Sequence, residues 1–296
     1  MNRKSLILIV GSNGFIGKSI IKNLNNNSLA TKNISRKECD LLDSYQTTKY
    51  FRSFREKTLD VIFVASITRA KEDSFSSMQK NILMIKNFID ASQNLKLNSL
   101  IFISSVDVYD NKENTQLAEG SFLFPSNPYA ISKICSEEML KSAFKESILT
   151  ILRLPGAYGP NDQFQSIVGG FINSINRKEV ITLTNQGRQL RDYVFVNDIG
   201  DIILELIKKP QEGIFNLSTG SSLELISIIN LISKFLDKDP IIEGSYEKSK
   251  EYNFRVSNKK IAKVFTNFSF TSMELGIKKY IQEINSNTNK NNFDVI

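Results

Sequence analysis

A run of glycines directly after the first apolar stretch constrains this chain more than any other feature. Residues 6–10 are apolar, and Gly11-Ser12-Asn13-Gly14-Phe15-Ile16-Gly17 follows them without a gap before a helical pattern opens. Strand, glycine turn and helix start in that order make an anion site. Glycine permits the tight turn and the close approach of a pyrophosphate, and the helix start offers unpaired N–H groups and the positive end of its dipole. The spacing is G-x-x-G-x-x-G rather than the commoner G-x-G-x-x-G. Glycine turns also join strands to helices for purely structural reasons, so the placement after an N-terminal strand carries the reading. It predicts a dinucleotide contacted by Gly11, Asn13, Gly14, Phe15, Ile16 and Gly17.

The rest of the first half has the rhythm such a site needs. Short apolar runs at 6–10, 61–65, 100–104 and 149–154 read as buried strands, separated by amphipathic stretches at 45–57 and 78–95. Strand-helix alternation predicts an α/β fold: a Rossmann-like doubly wound parallel sheet with helices on both faces. After a turn at 158–162 the rhythm loosens. Residues 164–176 and 221–236 read as helices, 180–184 and 191–196 as extended, and 198–208 as a one-sided apolar helix that packs back on the first domain. The expected organisation is a dinucleotide-binding domain of 1–160 joined by 192–212, and a smaller mixed α/β substrate-binding domain of 161–191 and 213–284. The Asn, Ser, Thr and Lys of 285–296 predict a frayed tail.

Composition then excludes several chemistries. The chain has no histidine, which rules out Ser-His-Asp and Cys-His catalysis and leaves no expected metal site. Its two cysteines, Cys39 and Cys135, have no metal spacing and predict no disulfide, which fits the cytoplasm. No apolar run reaches the roughly 18 residues that cross a bilayer, and the N-terminal stretch reads as a strand rather than a signal peptide. The formal charge of +7 is scattered along helix faces without a dense basic block. It predicts no nucleic-acid partner and suits a small phosphorylated ligand.

The second strand ends near Thr31-Lys32-Asn33-Ile34-Ser35-Arg36-Lys37, which contains no acid to hold adenosine ribose hydroxyls. Ser35 and Arg36 are candidates to grip the 2′-phosphate of NADP(H) through charge-assisted hydrogen bonds, the alternative being a solvated basic turn. NADP(H) is therefore favoured over NAD(H).

Tyr-x-x-x-Lys occurs three times, at Tyr45/Lys49, Tyr129/Lys133 and Tyr246/Lys250, so the spacing by itself identifies nothing. Context separates them. Pro128 starts a helix that puts Tyr129 and Lys133 on one face, and Ser104-Ser105-Val106-Asp107 ends the strand before it. Strand C-termini are where a doubly wound sheet holds ligands. A free tyrosine, with a pKa near 10, is a poor acid at neutral pH. An adjacent ammonium and an oxidised nicotinamide would lower that value, while Ser105 would fix the substrate oxygen.

With these residues in place the chain resembles the extended short-chain dehydrogenase/reductases, specifically the NAD(P)-dependent sugar epimerase/dehydratase family, from Gly11 to about Ile281. The resemblance runs through the Gly11-Gly14-Gly17 loop, Asp40-Leu41, Val64-Ala65-Ser66, Ser105, Tyr129/Lys133, Arg153-Leu154-Pro155-Gly156-Ala157-Tyr158-Gly159-Pro160 and Arg191-Asp192-Tyr193-Val194. It implies cofactor contacts at Asp40, Leu41, Ala65, Ser66, Tyr129, Lys133 and Pro155, and catalytic roles for Ser105, Tyr129 and Lys133. It also implies that Arg191 and Arg255 bind the diphosphate of a nucleotide-sugar substrate, and a homodimer through the helices around 78–95 and 129–145. For Arg191 the alternative is a surface ion pair with Asp192. For Asp107 the alternatives are a substrate hydrogen bond or a cap on a turn.

Sugar dehydratases of the family resemble Thr-Asp-Glu where this chain has Ser105-Val106-Asp107, so dehydration is disfavoured. The stretch 35–43 resembles the NADPH-using fucose synthases and other 4-keto-sugar reductases. Their Cys-His epimerisation pair is missing here. The expectation is therefore an NADPH-dependent reductase of a nucleotide-linked 4-keto-6-deoxy sugar, serving surface polysaccharide such as O-antigen. A redox-neutral epimerase is the alternative, followed by a non-catalytic sensor.

Overall fold

The computed structural model describes residues 5–109, 115–245 and 253–293. Strands β1 (Ser5–Val10), β2 (Thr31–Ile34), β3 (Thr58–Phe63) and β4 (Lys96–Ser105) alternate with helices α1 (Phe15–Asn26), α2 (Ser44–Arg52) and α3 (Phe75–Ser92). The short β5 (Gln116–Leu117), α4 (Pro128–Ala143) and β6 (Ile148–Leu154) follow. In space the order is β2, β1, β3, β4, β6 and Gly213–Asn216, a six-stranded sheet whose pairings are all parallel. This is the Rossmann-like α/β fold that the alternation predicts.

The register matters for function. Val10 lies opposite Ile34 and Phe63, and Ser105 opposite Leu154, so the loops that follow these strands leave from one edge of the sheet. From β1 the chain goes to one side for β2 and returns to the other for β3. That reversal of strand order makes the C-terminal ends of β1 and β3 a topological switch point, where open α/β sheets bind ligands.

Burial explains why the central strands read as unbroken apolar runs. Ile7–Val10 of β1 and Leu59, Val61, Ile62 and Phe63 of β3 are buried, because helices cover both faces. Phe88 packs between Phe51 and Phe63, with ring centres 5.4 and 5.1 Å away. Each such ring contributes about 1.5–3 kcal/mol by leaving water.

The chain divides into two compact units: Met1–Asp110, Glu119–Leu154 and Ile199–Leu217 in one, and Asn111–Ala118, Pro155–Asp198 and Ser218–Ile296 in the other. The second has its own core of Tyr158, Ile172, Phe195, Ile229 and Tyr280. Its small sheets include the parallel pair Val180–Thr184 and Ile241–Ser245.

Several elements differ from the sequence reading. The third strand ends at Phe63 rather than 65, because the N–H groups of Val64 and Ala65 both turn to the carbonyl of Val10, at 2.8 and 3.0 Å. The extended stretch at 191–196 is two strands, Leu190–Arg191 and Tyr193–Phe195. They are split at Asp192, whose carboxylate accepts from Ser218, Thr219 and the N–H of Gly220. The unit boundaries fall at 154 and 199–217 rather than at 160 and 192–212. The one-sided helix is Val196–Lys208, and from Ile199 onward it belongs to the first unit, where Asn23 of α1 donates to Asp201. Of the stretch 285–296 read as a frayed tail, the residues to Phe293 continue the helix Met273–Phe293, and 294–296 lie outside the described residues. Apolar residues at the start of the helix (Ile277, Tyr280 and Ile281) are buried and anchor its first turns.

Candidate active site

The three glycines of the loop stand in different surroundings. Gly11 has φ +96°, and a Cβ there would lie 2.6 Å from the N of Ala65. The β1 and β3 loops thus approach too closely for any side chain. A Cβ on Gly17 would strike the Gly11 carbonyl and Ser12 backbone. At Gly14 the nearest atom to such a Cβ is the Gly11 carbonyl oxygen at 3.4 Å, an ordinary contact. The protein's own packing therefore does not demand a glycine at 14. Gly14 is the N-cap of α1 and supplies no side-chain cap, and the first turn carries no acid. Asn13 and Gly14 are exposed, Phe15 and Ile16 partly so. Uncapped helix N–H groups beside an open glycine form a cradle that fits a pyrophosphate.

At the end of β2, Ser35 and Arg36 part company. The Ser35 hydroxyl and N–H both donate to the carboxylate of Glu38, and Ser35 is buried. Those hydrogen bonds hold Glu38 below the usual carboxylate range and close a turn. The Ser35 hydroxyl is thus engaged in the turn, while Arg36 and Lys37 project from it. The Arg36 side chain is 79% exposed and pairs with Asp40 at 3.2 Å, a surface contact worth little and readily exchanged for a phosphate. Asp40 also accepts from the N–H of Leu42. The Leu41 side chain lies in the core while its carbonyl accepts from Asn87 at 2.8 Å. Ala65 and Ser66 follow β3 and are partly buried.

The proposed catalytic residues lie at the end of β4 and in the first turns of α4. Asn127 caps α4 through the N–H of Ala130, and Pro128 opens the helix. The carboxylate of Asp73 accepts from the N–H of Tyr129 at 3.1 Å. Lys133 is buried; its Nζ donates to the carbonyl of Ile103 at 2.8 Å and lies 5.5 Å from the Tyr129 ring centre. Burial pushes the Lys133 ammonium down to about 8, against an opposing pull from Glu137. Tyr129 departs from expectation. Burial and the charge of Asp107 raise its phenol above the ordinary value, so the protein alone does not make it a stronger acid.

Ser105 accepts from the N–H of Asp107 at 3.1 Å and so caps the turn Val106–Val108. The hydroxyl proton of Ser105 is not used in that bond. The Asp107 carboxylate lies 3.9 Å from Arg69, which also pairs with Asp73 at 3.3 Å.

In the second unit, the N–H of Phe254 donates to the carbonyl of Leu190 at 3.0 Å, and the Arg191 guanidinium stands 5.2 Å from the Phe254 ring centre. Arg191 and Arg255 thus lie on neighbouring strand ends. Arg191 also donates to the Leu190 carbonyl at 2.9 Å, while Asp192 turns its carboxylate to Ser218 and Thr219. Pro155 directly follows β6 and is partly buried.

Two features escaped the sequence reading. Asn81, buried on α3, bonds both the N–H and the carbonyl of Ile67 and reaches the Ser132 hydroxyl, at 2.8, 3.0 and 3.4 Å. It ties the loop after β3 to α4, and its only sequence signal is an amide on an apolar helix face. Arg153 and Glu137, both fully buried, form an ion pair at 2.6 Å behind Lys133. Of the three Tyr-Lys pairs, Tyr45/Lys49 is exposed on α2, and Tyr246/Lys250 lies outside the described residues. Among the described residues no helix is long and apolar enough to cross a membrane, and no acidic, Cys or His group could hold a metal ion.

Comparison with known proteins gives this geometry a context. A family model described as the NAD dependent epimerase/dehydratase family matches residues 7–218. The chain is 26% identical to a dTDP-D-glucose 4,6-dehydratase of Dictyostelium discoideum, over 76% of this chain but only 61% of that protein's length. It is 26% identical to an ADP-L-glycero-D-manno-heptose-6-epimerase of Brachyspira hyodysenteriae, over 94% of this chain and 97% of the relative. It is also 26% identical to a dTDP-4-dehydro-6-deoxyglucose reductase of Escherichia coli, over 81% and 84%. Among solved structures, a UDP-glucose 4-epimerase of Thermotoga maritima superposes with TM-score 0.82 at 21% identity, covering 95% of this chain and 99% of that one. A GDP-L-fucose synthetase of Naegleria fowleri bound to NADP superposes with TM-score 0.81 at 18% identity, covering 98% and 96%.

Proposed function

This chain belongs to the NAD dependent epimerase/dehydratase family, and from that premise we propose that it reduces a nucleotide-linked 4-keto-6-deoxy sugar with NADPH. The observation that supports the proposal is the hold of Lys133 on the end of β4, two residues before Ser105 and beside Tyr129. There the Lys133 ammonium is fixed on the Ile103 carbonyl, 5.5 Å from the Tyr129 ring centre.

When bound, reduced nicotinamide supplies hydride to the carbonyl carbon. Ser105 donates a hydrogen bond to the substrate oxygen, keeping its own proton, and fixes that oxygen's position. Tyr129 passes its phenolic proton to that oxygen as negative charge develops, and the Lys133 ammonium steadies the phenolate left behind. The raised Tyr129 value keeps the phenol protonated before hydride arrives, which suits a proton donor. Arg36, exposed at the end of β2, receives the 2′-phosphate of NADPH, and Arg191 and Arg255 receive the substrate diphosphate by bidentate hydrogen bonds. The family likeness supports a role in making sugar precursors for surface polysaccharide in the cytoplasm. The exposed apolar Leu83 and Ile131 of α3 and α4 support a homodimer.

A redox-neutral epimerase is the second reading, favoured by the near-complete coverage of the heptose epimerase relative. Incubation with 4-keto sugar nucleotides and NADPH separates the two. Reduction consumes one NADPH per product. Turnover without net oxidation of the cofactor would sink the reductase.

A further inference from the structure

We propose that Glu137, clamped by Arg153, is a positioning residue that keeps Lys133 charged inside the protein. The inference rests on Lys133 acting beside Tyr129 and adds a source for its charge. Glu137 lies one helical turn after Lys133, so both project from the same face of α4. Its carboxylate accepts from the Arg153 guanidinium through two nitrogens, at 3.0 and 2.6 Å, and from the Ser104 hydroxyl. Ser104 adjoins Ile103, whose carbonyl accepts from Lys133. One turn of helix and one peptide of β4 therefore place the carboxylate on the same side of α4 as the ammonium, whose charged form it favours.

The groups around Lys133 make the carboxylate the deciding charge. Its own helix presents Tyr129 and Glu137, β4 presents the Ile103 carbonyl and the Phe102 ring at 5.0 Å, and the turn after β4 presents Asp107, which acts on Tyr129. Helix α3 contributes the uncharged Asn81 through Ser132, and β6 contributes Arg153, which reaches this face through Glu137. A buried ammonium near a buried guanidinium, with no anion between them, would shed its proton. Arg153 is in turn fixed from behind: Nη1 donates to the Glu119 carbonyl at 3.4 Å, and the Tyr109 ring centre is 4.8 Å away. A pair made only for stability has no need to face the lysine, since buried ion pairs are often replaceable by apolar side chains.

The test titrates Lys133 by NMR of lysine labelled at Nζ, assigned by loss of its signal in Lys133→Met, in the unliganded full chain. The expected result is that Glu137→Gln lowers the Lys133 midpoint by roughly one pH unit or more. The double variant Glu137→Met/Arg153→Met, which removes both charges and keeps the volume, lowers it by less. If Glu137→Gln does not fold, the double variant decides. An unmoved midpoint in Glu137→Gln overturns the proposal; where that variant does not fold, an unmoved midpoint in the double variant, or its failure to fold as well, overturns it. Because NMR reads Lys133 without turnover, failure of the proposed function would show separately, as an active Tyr129→Phe enzyme.

Discussion

The Nζ of Lys133 donates to the main-chain carbonyl of Ile103 at 2.8 Å, two residues before Ser105. The bond links the start of α4 to the end of β4 and fixes a buried ammonium beside Tyr129. Burial acts on the two side chains in opposite senses, lowering the lysine and raising the tyrosine. Near neutral pH the tyrosine is therefore a neutral phenol, while the lysine, lowered to about 8, remains an ammonium.

Replacing Tyr129 by phenylalanine removes the proton donor and little else. We expect turnover to fall roughly 10²- to 10⁴-fold, with NADPH affinity nearly unchanged. Steady-state kinetics and a fluorescence titration of NADPH measure the two. Undiminished activity would remove Tyr129 from the chemistry.

The pH dependence follows from the lysine. With its value pushed down to about 8, Lys133 is charged below that pH and neutral above it. The neutral form cannot steady a phenolate, so kcat for reduction should hold near neutrality and decline as pH rises past about 8. A rate that climbs steadily to pH 10 would contradict this assignment.

Two glycines of the loop should respond differently to alanine. Gly14→Ala meets only an ordinary contact at φ −71°, so thermal stability should stay within about 0.5 kcal/mol while dinucleotide affinity drops. Gly17→Ala presses a methyl into the Gly11 and Ser12 backbone and should cost roughly 1–3 kcal/mol of stability. Melting curves with and without NADPH distinguish the two.

Arg36→Ala should weaken NADPH roughly 10- to 100-fold, the scale of a charge-assisted hydrogen bond, and NADH hardly at all. Ser35→Ala should instead loosen the turn to Glu38 and weaken both cofactors alike. Parallel dissociation constants for the two cofactors decide between these assignments, and equal losses in Arg36→Ala would remove Arg36 as the phosphate residue.

Much of this was legible in the chain itself, for a physical reason. Glycines at 11 and 17 stand where backbones touch backbones, and central strands covered by helices on both faces read as apolar runs, so local chemistry alone determined a parallel α/β sheet with a phosphate loop. Periodicity likewise put Tyr129 and Lys133 on one helical face. It put Tyr45 and Lys49 on one face too, and what that face packs against is a property of distant residues. The tertiary structure leaves Tyr45 73% exposed and buries Lys133 against Ile103, 30 positions away in sequence. Long-range packing also buried Ser35, whose turn to Glu38 is itself local, and left Arg36 facing solvent. It brought Glu137 of α4 to Arg153 of β6 as well, since a buried charge must find its partner wherever the fold places one.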